Sequence, residues 1–221
     1  MRSKQLEYKG MEVIVNRGSL TREMIRIKDG KIHVYTNFFA RDEDVLRILQ
    51  RKDSWIRRHM ETSKNRIKIN FGLDDSTLIL GQRIPIVYQK SARARVEFKN
   101  NVLYISGSSP QNMQKAYKNF ACDILSVMID RFYREINDVD DFNLSFKYYT
   151  SRWGCCYKDR KDIILNVWCV GLPELAIKYV FCHELAHLKV ANHQKAFYDE
   201  VQRIWPEYKN GLKLSKTFVI T

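Results

Sequence analysis

The chain has 221 residues, 45% of them hydrophobic and 29% charged, a balance that excludes disorder and fits one large domain or two small ones. A net charge of +13 admits anionic partners, nucleic acid and nucleotides among them, but the basic residues are dispersed and exclude an arginine-rich arm. No run approaches the roughly 20 apolar residues of a membrane helix, the opening residues are polar, and the five cysteines lack a CxxC pair or a disulfide framework, so a reduced cytoplasmic protein with no membrane association is expected.

Short β-rich runs come first, Glu12 to Val15 and Met24 to Tyr35, the second broken by an Asp29-Gly30 step that reads as a hairpin turn. From Asp42, after a helix start at Arg41-Asp42, apolar residues Val45, Leu46, Leu49, Trp55, Ile56 and Met60 recur at helical spacing. Leu78–Leu80, Ile84–Tyr88, Arg95–Phe98 and Val102–Ile105 are short runs parted by Gly81, Ser91-Ala92 and Asn100-Asn101, which predicts an antiparallel meander with a tight Asn-Asn turn. Ser108-Ser109-Pro110 opens a long helix reaching about Asn137. Strands at Leu144–Tyr149 and Ile163–Val167 flank Ser151-Arg152-Trp153-Gly154. A further helix begins at Leu172-Pro173-Glu174, with proline in its first turn, and a last one spans Gln194–Ile204 and ends at Pro206. The fold class is therefore α+β: a β-rich region of antiparallel hairpins with one helix over 1–108, and a helical region with a small sheet over 109–221, as two substructures or one continuous domain around one site.

The chemistry concentrates in His183-Glu184-Leu185-Ala186-His187, an HExxH pattern inside the helix that starts near Pro173. Residues four apart share a helix face, so both imidazoles can point at one metal ion, while Glu184 can reach a water beside it. By chance the pattern arises in roughly one protein in two hundred of this size and composition. A catalytic zinc site needs a third protein ligand and an open position for water. His193, ten residues after His183, is one candidate, with Asn192 in left-handed backbone turning the chain back; Glu200 and Asp199 on the following helix are the rivals. The longer metzincin pattern places glycine where this chain has Val190. His33 and His59 read as surface residues, and Cys182 should face away from the metal, into packing. Arg152 offers either an anion or oxyanion contact or a structural ion pair. Trp153 is expected to pack under the helix of the motif. Asn166 could orient a ligand histidine or close a turn at the end of its strand.

SRWG (Ser151–Gly154), Asn166-Val167-Trp168, Leu172-Pro173 and HELAHLKVANHQKAFYDEV (His183–Val201) together resemble the YgjP-like metallopeptidases, which share their metal motif with SprT-like and Wss-type zinc peptidases. The resemblance is specific from about Ser151 to Tyr208 and continues more weakly through the rest. It departs at Cys155-Cys156, where the family usually shows Ser-Cys. The likeness implies a zincin-like C-terminal unit with His183, His187 and His193 as ligands, Glu184 as base and a peptide or protein substrate. Zn²⁺ is the cofactor expected, with another divalent transition metal as the alternative. Two rival readings stand beside this one. The same site could hydrolyse the phosphoanhydride of a nucleoside triphosphate, or metal and charge could serve a nucleic-acid-associated protein, although no recognised nucleic-acid-binding motif is present. The sequence leaves the oligomeric state open.

Overall fold

Alternating apolar residues in the first sixty positions build a sheet with one dry face. In the computed structural model, which describes residues 2–28, 30–64, 67–69, 75–137 and 139–220, the chain divides into two compact units, Met1–Arg66 and Ile67–Thr221. The first begins with β1 (Arg2–Tyr8) and β2 (Met11–Gly18), joined by a two-residue turn in which Lys9 and Gly10 take φ of 50° and 77°. β3 (Met24–Lys28) and β4 (Lys31–Asn37) form a second antiparallel hairpin. In its expected Asp29-Gly30 turn, Gly30 has φ 72° and Asp29 lies outside the described residues. The sheet order is β1-β2-β4-β3, with β2 and β4 parallel. Val13, Val15, Ile32 and Val34 are buried against Val45 and Leu49 of α1 (Asp42–Arg51) and Ile56 and Met60 of α2 (Asp53–Lys64). The expected single helix is thus two, parted at Lys52, and Arg41 caps the first, its backbone N–H donating to the Asp44 carboxylate at 3.0 Å. β1 was not foreseen, because its RSKQLEY run buries little; such a polar strand suits a sheet edge.

In the second unit, β5 (Ile67–Ile69) pairs in parallel with β13 (Phe218–Ile220). β6 (Ser76–Ile79), β7 (Gln82–Lys90), β8 (Arg95–Lys99) and β9 (Val102–Gly107) form the sheet β6-β7-β9-β8. Leu80-Gly81 and the foreseen Asn100-Asn101 make the tight turns, all at positive φ. The meander expectation fails at one pairing: β9 runs parallel to β7 and displaces β8 to the edge. Burial explains the swap. Leu103 and Ile105 of β9 are fully buried and need neighbours on both sides, whereas β8 carries exposed Arg95, Glu97 and Lys99.

α3 (Pro110–Arg134) starts where Ser109 accepts a hydrogen bond from the Asn112 N–H, and buries Tyr117, Ala121, Leu125, Met128, Ile129 and Phe132. Next come β10 (Asn143–Lys147), β11 (Gly154–Tyr157) and β12 (Asp162–Asn166), ordered β10-β12-β11 with β11 antiparallel at the edge. α4 (Glu174–Ala186), α5 (Lys195–Ile204) and α6 (Tyr208–Ser215) complete the unit. The first of these is buried nearly all round, so it is the axis of the unit rather than a surface helix. The β6–β9 sheet and these helices share one apolar core within the unit Ile67–Thr221. The fold is α+β as expected, while β5, β11, α6 and β13 were not foreseen. No helix of the described residues is long and apolar enough to cross a membrane.

Candidate metal centre

The site is built at the C-terminal end of α4. His183 lies in its last turn and His187 caps it, so helical spacing places both rings on one side. The chain then leaves the helix and returns: the Val190 N–H donates to the Ala186 carbonyl at 2.9 Å, and the Gln194 N–H to the Asn192 carbonyl at 2.8 Å. Asn192 is not among the positive-φ residues, so this hydrogen-bonded turn, and not a left-handed asparagine, brings His193 back.

Three imidazoles converge there. His193 Nε2 lies 3.1 Å from His183 Nε2 and 3.1 Å from His187 Nε2, and one nitrogen from each ring falls within 4.8 Å of the others. Ligands at about 2.0–2.1 Å from one tetrahedral ion stand roughly 3.3 Å apart, so the spacing suits a small cation. Two of the outer nitrogens have partners. His187 Nδ1 faces the Val190 carbonyl at 3.0 Å and so carries the proton, and His183 Nδ1 faces the Tyr179 hydroxyl at 3.3 Å. The carbonyl contact leaves the His187 Nε2 lone pair free for the cluster, and the hydroxyl contact orients the His183 ring. Burial, aided by the neighbouring His187 and His193, lowers the pKa of His183 to about 3, and burial also lowers that of His187; both favour the neutral ligand form. Beneath all three rings lies Phe197, fully buried, with its centroid 4.8, 4.5 and 4.7 Å from those of His183, His187 and His193. His193 is exposed, so the cluster opens to solvent.

Glu184, only 6% exposed, follows His183 directly in α4, and burial raises its pKa to about 7 against the opposing charge of Arg152. Its side chain lies under β11: a Cβ added to Gly154 would stand 2.7 Å from Glu184 Cγ and 2.8 Å from Oε1. Only glycine allows that approach.

The other expected residues separate. Glu200 is held by Arg203 at 2.7 Å and by Lys189 at 3.5 Å, and Asp199 by Lys195 at 3.6 Å; neither belongs to the histidine cluster. Arg152 makes no ion pair among the described residues; its guanidinium lies 5.6 Å from the centroid of the Tyr149 ring, and its charge acts on Glu184. Among the described residues, Asn166 hydrogen-bonds no histidine. Its amide donates to the carbonyls of Tyr149 and Arg152, both at 2.8 Å, and its oxygen accepts from the Trp168 N–H, so it pins the segment leading into β11. Trp153 packs on the core and Cys182 is buried in it. Sequence reasoning overlooked Tyr179, Phe197 and Gly154, although Tyr179 lies four residues before His183 on the same helix, the spacing at which helical neighbours meet.

The sequence matches the family described as YgjP-like, metallopeptidase domain, over residues 21–214. No curated protein matches the chain. Among solved structures, the metallopeptidase zymogen of Methanocaldococcus jannaschii jannalysin is similar at 21% identity and a TM-score of 0.34, covering 40% of this chain and 86% of that one. The zymogen of Pyrococcus abyssi abylysin is similar at 22% identity and a TM-score of 0.31, covering 45% and 99%.

Proposed function

This chain belongs to the YgjP-like metallopeptidase family, and from that premise we propose that it is a zinc peptidase with His183, His187 and His193 as metal ligands and Glu184 as general base. The observation that carries the reading is the convergence of three imidazole nitrogens, with a buried carboxylate one residue along α4 from the first of them. An all-imidazole donor set favours zinc or a neighbouring transition metal over Mg²⁺ or Ca²⁺, which seek oxygen. Zinc held there supplies Lewis acidity, lowering the pKa of water and polarising a carbonyl. The chain's own residues do the rest. Tyr179 and the Val190 carbonyl hold two of the imidazoles in the ligating tautomer. Glu184 takes the proton of the attacking water and returns it to the leaving amine. Arg152 adds positive charge near the reacting carbonyl.

A peptide fits the surroundings. β11 is an edge strand whose first residue, Gly154, covers Glu184, so an extended chain added along that edge would pass the carboxylate. The nucleoside triphosphate alternative rests on Arg152 and the net charge.

Elemental analysis of untagged protein should find one zinc per chain in the wild type and little in His187→Ala. Glu184→Gln should keep the metal and lose peptide hydrolysis. Pyrophosphate release from nucleotides, with peptides left intact, would transfer the site to the rival substrate; full peptide turnover by Glu184→Gln would remove the proposed base.

A further inference from the structure

The first unit carries sixteen Lys and Arg against nine Asp and Glu within 66 residues, so about half of the chain's +13 sits in less than a third of its length. Both of its helices pack on the same side of the β1–β4 sheet, against Val13, Val15, Ile32 and Val34. The residues alternating with these point to the opposite face, which no helix among the unit's described residues covers. On the β3–β4 half of that face, register pairs Arg26 with His33, Lys28 with Lys31 and Met24 with Tyr35. The His33 and Tyr35 rings lie nearly parallel, 20° apart with centroids at 6.4 Å, and the Arg26 guanidinium sits 5.6 Å from the Tyr35 ring centroid. Arg26 and Lys28 are exposed and make no ion pair among the described residues; Lys31 is paired with Glu12 at 2.8 Å.

From this we propose that the open face of the β1–β4 sheet binds single-stranded nucleic acid, with Tyr35 and His33 as the stacking platform and Arg26 and Lys28 as phosphate contacts. Two part-exposed flat rings on a sheet accept unpaired bases, which stack regardless of sequence. The flanking cations Arg26 and Lys28 supply the positive charge that a phosphate backbone needs. A duplex keeps its bases stacked on one another and cannot use the rings. The acidic residues of the face, Glu7 and Glu12, lie on the β1–β2 half, which places the nucleic acid over β3 and β4. This binding is independent of the metal centre.

The test is fluorescence anisotropy of the full chain with a labelled single-stranded oligonucleotide of about 15 nucleotides, titrated at about 50 and 200 mM salt. Wild type should bind, and more tightly than it binds a duplex of equal length. Tyr35→Ala should weaken binding about 5- to 150-fold, the range for losing one stacked base, and Tyr35→Phe should restore it. Arg26→Gln with Lys28→Gln should lower the slope of log affinity against log salt by about 1.4, at roughly 0.7 per phosphate on single strands. Peptide hydrolysis should survive in all these variants, which verifies that they fold. No binding at the lower salt, equal binding of single strand and duplex, or indifference to Tyr35→Ala overturns the proposal.

Discussion

Gly154→Ala isolates the placement of the proposed base from the metal. The new methyl would start 2.7 Å from Glu184 Cγ, 2.8 Å from Oε1 and 3.0 Å from Cδ. Ordinary carbon contacts need about 3.5 Å or more, so the carboxylate or the strand must retreat by close to 1 Å. Glu184 is 6% exposed and has little room to turn aside, and β11 is tied to β12 by the Gly154–Leu165 and Cys155–Ile164 pairs. A misplacement of about 1 Å costs on the order of 10²-fold in rate, which is about 2.7 kcal/mol in the activation barrier. The three atoms nearest the new methyl all belong to Glu184 and none to an imidazole, so zinc stoichiometry should equal that of wild type. The assay is kcat and KM on a peptide that the wild type cleaves, with zinc measured on the same samples. The expected result is a fall in kcat of about a hundredfold at unchanged zinc content. Turnover at the wild-type rate, or zinc lost together with activity, would show that Gly154 does not set the position of Glu184 and would refute the argument.

Tyr179→Phe removes the hydroxyl that faces His183 Nδ1 but keeps the ring stacked on Tyr208; zinc affinity, read by chelator competition, should weaken about 10- to 100-fold with little change in thermal stability. Gly211→Ala would set a Cβ 2.3 Å from the Leu175 carbonyl and 2.7 Å from Tyr179 Cβ, so α4 and α6 must part. The gain in helix propensity, about 1 kcal/mol, is outweighed by overpacking of about 1–3 kcal/mol and by strain at a backbone atom; calorimetry should find Tm lowered by a few degrees, and an unchanged or raised Tm would contradict the tight crossing. In the first unit, the Arg57 guanidinium, then Lys9 and the Tyr8 hydroxyl, depress the Asp53 pKa to about 2. A depressed carboxylate stabilises the fold above its unfolded value near 4 and loses that contribution as pH falls toward 2. Acid unfolding followed by circular dichroism should accordingly show Asp53→Asn less stable than wild type at neutral pH, with the difference vanishing below about pH 2; a difference that persists there would indicate a packing effect.

What could be read in advance was whatever sequence spacing alone decides. The long amphipathic run of α3 and the tight turns at Lys9-Gly10, Leu80-Gly81 and Asn100-Asn101 are local geometry, although Lys9-Gly10 went unread because the strand before it is polar. Strand order is different. Nothing within β8 or β9 alone says that the second joins β7; the choice depends on which strand can afford an edge, and only the comparison of buried Leu103 and Ile105 with charged Arg95, Glu97 and Lys99 settles it.

The metal centre divides along the same line. His183 and His187 share a helix face because helices repeat every 3.6 residues, so their partnership follows from the sequence, whereas His193 stands beyond the helix end and competes on paper with Glu200 and Asp199. What separates the three is the company each keeps. Glu200 lies within reach of two cations, Arg203 and Lys189, and Asp199 within reach of Lys195, whereas His193 has the two other imidazoles and the ring of Phe197 around it. A carboxylate already neutralised by lysine or arginine would lose that pairing on turning toward a metal. An imidazole that meets an aromatic ring edge-on has no such attachment to give up, so His193 is the candidate that could turn to a metal at no loss of an existing ion pair.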